Sequence, residues 1–165
     1  MGFTLKIGEL EIVGINNLKD PFSHNDTMDG HVQDVERSDA PAFGEPTDYT
    51  NTRWPSYTAW HNAVKFIGLE KLFNDKKTGL LREHPGCFQI TEKHKKIIDK
   101  AHKDFYKKYP KCKPGFSKKL KDDFDNFVDD KDWPQENSYA VRLEWLKYWV
   151  DWALKNCKHP VFYNS

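Results

Sequence analysis

Arg142 is the first residue that suggests chemistry. On a helical wheel drawn from Ser138 onward it falls between an aliphatic seam and a tryptophan flank, with Tyr139, Trp145, Leu146 and Trp149 around it. A guanidinium inside an apolar arc must be paired or stacked, because a buried unpaired charge is very costly. An arginine framed by rings suits a phosphate or a nucleotide: the fork grips the anion and a ring face takes the base. The plainer alternative is structural, with Arg142 pairing with Asp48 or Glu144 or stacking on a tryptophan.

A second group lies in DAPAFGEPTDYTNTRWPSYTAW, from Asp39 to Trp60. Its prolines, Pro41, Pro46 and Pro55, keep the first part out of regular structure. It nevertheless carries Asp48, Asn51, Arg53, Trp54 and Tyr57, all residue types that contact ligands. His61 follows on the apolar stripe of the next helix, and His84 stands in an HPG turn. A histidine on an apolar stripe is most simply a hydrogen-bonded core residue. With Arg142 and Trp145 these residues make up the candidate ligand-binding set.

No catalytic or metal-binding motif accompanies them. Seven histidines and three cysteines occur without HExxH, paired CxxC or the aspartate spacing of a calcium loop, so no metal site is expected. GxSxG, GxxxxGK[ST] and GxGxxG are all missing, and His84 three residues before Cys87 does not by itself make a dyad. Asp122-Asp123 and Asp129-Asp130 sit in a solvated acidic run. The sequence thus names no catalytic residue and no cofactor, and an enzyme is the less favoured reading.

Bulk properties set the frame. The 165 residues fit one domain, 1–165, large enough to bury a core of its own. Charged residues reach 31% and mean hydropathy is −0.85, values that alone would suit a disordered chain. The 15% aromatic content, with six tryptophans, argues for a folded core rich in rings. Three widely spaced cysteines favour free thiols, and no signal-like or membrane-spanning apolar run is present, so a cytoplasmic protein without membrane contact is expected. Charge is in blocks: Glu92 to Lys121 has twelve lysines against three acids, and Asp122 to Asp132 has six aspartates against one lysine. A net charge of +1 and a pI near 7.7 disfavour nucleic acid as a general partner. The lysines Lys93, Lys96, Lys100, Lys103 and Lys107 read as the outer face of an amphipathic helix, with attraction to nucleic acid or an anionic ligand as the alternative.

The spacing predicts an α+β fold. Phe3 to Ile15 reads as a β-hairpin interrupted at Gly8-Glu9, followed by a long irregular loop at about 16–55 that holds either a short strand, His31 to Val35, or a turn of helix. A helix begins at Pro55-Ser56 with the stripe Tyr57, Trp60, His61, Val64 and Ile67, and ends at Gly68. LEKLF adds a short helical turn. TGLLREHPGCFQIT reads as two extended pieces around a type II turn at Pro85-Gly86. Thr91 caps a helix from Glu92 to about Tyr109 whose stripe is His94, Ile97, Ile98, Ala101 and Phe105. An amphipathic turn is expected around Phe124, Phe127 and Val128. The last helix, Ser138 to Asn156, is apolar over more than half its circumference and is expected to be central, giving about three main helices packed with a few short strands.

The strings RWPSYTAWHNAVKFIGLEKLF, GLLREHPGCFQIT and YAVRLEWLKYWVDWALKNCKHPVFYNS resemble small bacteriophage-encoded proteins of uncharacterised function. That resemblance implies expression in a bacterial host cytoplasm and a role against host defence; it supplies no site residues. Together with the residue set above it leads to one expectation: a non-catalytic binding protein for a small anionic aromatic ligand, such as a host immune nucleotide signal. Two alternatives stand beside it, a hydrolase of a nucleotide-like ligand and a protein-binding or virion accessory module. Homo-oligomerisation stays open.

Overall fold

The computed structural model describes residues 3–12, 30–32, 35, 37, 39–41, 51–54, 57–83, 86–112 and 135–164. In chain order these form β1 (Phe3–Ile12), β2 (Gly30–Val32), β3 (Asn51–Trp54), α1 (Tyr57–Phe66), α2 (Glu70–Asn74), β4 (Gly86–Gln89), α3 (Glu92–Lys108), α4 (Gln135–Asn156) and β5 (Pro160–Asn164). The fold is α+β, as the pattern predicts.

β1 organises the sheet. It pairs antiparallel with β5 from Leu5↔Asn164 to Glu9↔Pro160, and β5 pairs antiparallel with β4 from Gly86↔Asn164 to Gln89↔Val161. β3 also pairs with β1, placing Arg53 opposite Thr4 and Asn51 opposite Lys6, while β2 joins farther along, with Leu10 opposite Val32. Leu5 and Lys6 are shared by β3 and β5, so those two strands must lie on opposite edges of β1.

The alternation of side chains divides the sheet into two faces. Leu5, Ile7, Phe88 and Phe162 join the main core with the helices. Leu10, Val32, Cys87 and Val161 form a second, smaller buried cluster, with Tyr163 packed against it. Asn164, fully buried at the sheet's end, donates from Nδ2 to the Gly86 carbonyl at 3.3 Å.

α4 is the central helix. Ala140, Val141, Leu143, Trp145, Leu146, Trp149, Val150 and Ala153 are all buried, and together they cover most of its circumference. Trp60, from α1, packs edge-on against Phe73 with centroids 4.9 Å apart and lies 6.5 Å from Phe162, so it belongs to the core. Burying a side chain of this class contributes about 1.5–3 kcal/mol relative to exposure, which explains why rings dominate a core built from so polar a chain.

Several local expectations are corrected. β1 is one continuous strand and not a hairpin: Gly8 lies in the ladder opposite Val161 and has no positive φ, so it supplies no turn. Its pairing partners lie far along the chain, a relation that local alternation does not reveal. β3 occupies residues expected to be loop, because pairing with β1 outweighs their weak local signal. α4 starts at Gln135, three residues before the expected cap at Ser138. Ile97, placed on the buried stripe of α3, is exposed. The segment 80–83 is turn and bend, leaving β4 as the extended piece.

The two informative glycines differ in role. Gly68 has φ +78 and closes α1, with its N–H on the Lys65 carbonyl at 3.2 Å. Gly86 opens β4 without a positive φ; a Cβ there would come within 2.7 Å of the Phe88 ring and 2.8 Å of the Glu83 carbonyl. The glycine at HPG therefore answers to close packing and not to a type II turn. The amphipathic turn expected near Phe124 lies outside the described residues.

Candidate binding platform

Three helix ends converge in an aromatic cluster that leaves one ring exposed. Phe66 is in the last turn of α1, Tyr109 caps α3, and Tyr139 is in the early part of α4. Pro110 prevents α3 from continuing, and the Tyr109 N–H closes the last turn on the Phe105 carbonyl at 2.8 Å. This holds the Tyr109 ring where it stacks on Phe66, with centroids 5.4 Å apart and planes at 19°. Tyr139 meets the same Phe66 ring at 4.5 Å, and Phe105 supports it from below at 6.3 Å. Phe66 nevertheless keeps 38% of its surface exposed. An exposed phenyl ring held by three aromatic neighbours is a pre-ordered stacking surface.

One cation lies against these rings and others lie near them in the chain. Arg142 follows Tyr139 by one helical turn, so both side chains share a side of α4. Burial lowers the Arg142 guanidinium to about 10, and the Tyr139 phenol partly offsets this. Lys108 sets its Nζ 5.2 Å from the Tyr109 centroid. Lys65 and Lys111, next to the platform in the chain, are exposed. Stacking and positive charge together are what an aromatic anion requires.

The candidates from sequence are placed unequally. Arg142 is beside Tyr139, at the platform. Trp145 is 1% exposed and packs in the main core, so it presents no face to a ligand; α4 is buried on that side as well as along its aliphatic seam. His61 is exposed and not on the buried stripe; its Nδ1 is 2.8 Å from Asn74 Nδ2 on α2. Five residues separate it from Phe66, about 140° of helical rotation, so it faces away from the platform ring. Asn51, Arg53 and Trp54 lie on β3 along β1, and Tyr57 opens α1. Asp48 and His84 lie outside the described residues.

A different polar assembly joins α3 to α4. Lys95 Nζ reaches Asp99 Oδ2 at 2.8 Å and Asp151 Oδ1 at 2.5 Å, while Lys147 Nζ reaches Asp99 Oδ1 at 2.7 Å and Asp151 Oδ2 at 2.9 Å. The four charges close a ring. Hydrogen bonds and the partner charges hold both ammonium groups above, and the Asp99 carboxylate below, their ordinary values against the opposing effect of burial. One helical turn on, Glu144 Oε1 accepts the Tyr106 hydroxyl at 2.8 Å and lies 2.6 Å from His102 Nε2. Burial first, then the Glu144 hydrogen bond and charge, raise the Tyr106 phenol. Glu144 is thus engaged with α3.

This seam was missed in the sequence, although a signal existed. Lys95, Asp99, His102 and Tyr106 repeat at four, three and four, the spacing of a packed stripe written in polar residues, and Glu144, Lys147 and Asp151 answer it on α4.

Nucleophile chemistry finds little support. Burial pushes the Cys87 thiol up to about 12, and burial followed by the charge and hydrogen bond of Glu9 does the same to Cys157. Both thiols are therefore held protonated, the opposite of an activated cysteine. Among the described residues no group of three or more His, Cys, Asp or Glu could hold a metal ion, and no helix is long and apolar enough to cross a membrane. Compared with known proteins, the chain matches no protein-family model, no curated protein and no solved structure.

Proposed function

We propose that the protein is a non-catalytic binder of a small anionic aromatic ligand of the nucleotide class, taken at the Phe66–Tyr109–Tyr139 platform with Arg142 and Lys108 as the cations. The observation that carries this reading is the exposed Phe66 ring, held by Tyr109 at 5.4 Å and Tyr139 at 4.5 Å beside basic side chains. Stacking a base on such a ring is worth about 1–3 kcal/mol, and every base has a face to offer, so the phosphate contacts must set the charge preference. That Tyr139 and Arg142 lie one turn apart on α4 supports a ring and a guanidinium acting on one ligand.

The resemblance to phage-encoded proteins gives this chemistry a setting: sequestration of a host nucleotide signal in the bacterial cytoplasm. The test is to denature protein purified from cells, identify the released small molecules by mass spectrometry, and titrate a panel of mononucleotides and cyclic nucleotides by calorimetry. An intact nucleotide-like species and saturable heat are expected. Release of nothing, with no heat across the panel, overturns the reading, and steady conversion of a nucleotide to products makes the protein a hydrolase instead.

A further inference from the structure

The outer face of α3 is a lysine track with no role in the fold described above. Ile98, Ala101 and Phe105 turn to the core, and Lys95, Asp99, His102 and Tyr106 are used against α4. What remains outward is mainly lysine, Lys93, Lys96, Lys100, Lys103 and Lys107, all exposed, with Glu92, Ile97 and Asp104 also exposed on the helix. They recur at intervals of three and four residues and span about 21 Å of helix. Only Lys100 has an ion-pair partner among the described residues, Asp104 at 2.5 Å. Lys95 and Lys147, by contrast, each contact two carboxylates. Among the described residues the track keeps an excess of positive charge in solvent, with Asp104 as the one carboxylate held against it, near Lys100, Lys103 and Lys107.

Helical geometry sets the track about 120–180° around α3 from Phe105, which supports the platform. A chain leaving the Phe66 ring would reach the track by turning about the end of α3, where Lys107, Lys108 and Lys111 are exposed. A ring platform continued by a line of cations fits a polymer with both bases and phosphates. Resting on the platform reading above, we propose that the ligand extends to a short single-stranded nucleic acid: one base stacks on Phe66, and successive phosphates pass over the end of α3 onto its lysine track. Single strands suit this surface because their bases are free to stack, and lysine contacts them as a point charge without reading sequence. A net charge of +1 argues against coating duplex DNA, yet leaves a local track intact.

Fluorescence anisotropy with 5′-fluorescein-labelled oligouridylates of one, two, four and eight nucleotides tests this, with a labelled polyglutamate peptide as the competing polyanion. Affinity is expected to rise at least about tenfold from one nucleotide to four and then level off, while the peptide binds weakly. Each phosphate contact contributes about −0.7 to the logarithmic salt slope on a single strand. The triple variant Lys93→Glu, Lys96→Glu, Lys103→Glu should therefore flatten the slope by about 2 for the octamer and leave mononucleotide binding and melting temperature unchanged. Mononucleotide binding without a length effect, or an octamer insensitive to the triple variant, overturns this inference and leaves the platform reading standing. Equal binding of polyglutamate also overturns it. Failure of every nucleotide to bind removes both.

Discussion

Two regions of α4 use similar residue types to opposite ends. Along its α3-facing side, Glu144, Lys147 and Asp151 meet Lys95, Asp99, His102 and Tyr106, and each of these groups has a partner across the interface. Near its N-terminal end, Tyr139 and Arg142 join Phe66, Tyr109 and Lys108, where an aromatic ring stays 38% exposed and lysines face solvent. A seam that satisfies itself has little left to offer a ligand; it fixes how two helices meet. The platform, with one exposed ring and cations nearby, is the candidate for binding. Closure of the network therefore separates structural charge from candidate functional charge, and the count of charged residues does not.

This contrast predicts that substitutions will split into those that move stability and those that move binding. The largest effect on stability is expected at Glu144. Glu144→Ala removes the acceptor shared by His102 and Tyr106 and should cost about 1–3 kcal/mol in chemical denaturation, with nucleotide affinity unchanged in calorimetry. Phe66→Ala should do the reverse, weakening nucleotide binding by about tenfold, the low end of a lost stacking interaction, with little change in melting temperature. Asp99→Asn opens the four-charge ring. Because those side chains are 29–37% exposed, the loss should stay below about 1 kcal/mol and shrink as salt is raised.

A smaller effect concerns pH. The Thr91 N–H donates to His94 Nδ1 at 3.0 Å in the cap of α3, which requires that nitrogen to be unprotonated. Burial, then the charges of Lys93 and Arg82, lower the His94 imidazole below its ordinary 6.5. The unfolded chain therefore takes up this proton at a higher pH than the folded one, and stability falls as pH drops through and below 6.5. His94→Gln, which keeps a capping side chain at that position, should flatten this slope in urea denaturation between pH 7.5 and 5 (roughly the range over which an unperturbed histidine titrates). The smallest effect belongs to Lys100→Gln: its exposed pair with Asp104 should leave the melting temperature unchanged within error.

The helices were largely legible in the sequence. α3 starts where Thr91 predicts and ends before Pro110, and α4 is central because its apolar residues cover more than one face. Strands were harder to read. β1 has partners at residues 30–32, 51–54 and 160–164, and no local pattern encodes pairings so distant. Of the candidate site, the sequence pattern picks out Arg142 with Tyr139 beside it on α4, whereas Trp145 is core. Phe66, Tyr109 and Lys108 were overlooked because each looks ordinary in its own helix. They become a surface only when three helix ends meet.

The central claim, that the Phe66 platform takes an anionic aromatic ligand, is tested most directly by calorimetric titration of the wild-type protein and Phe66→Ala with the same nucleotide panel. Saturable heat with at least one nucleotide, weakened about tenfold in Phe66→Ala at unchanged melting temperature, is the predicted result. Equal affinity in the two proteins, or no heat from either, would contradict it.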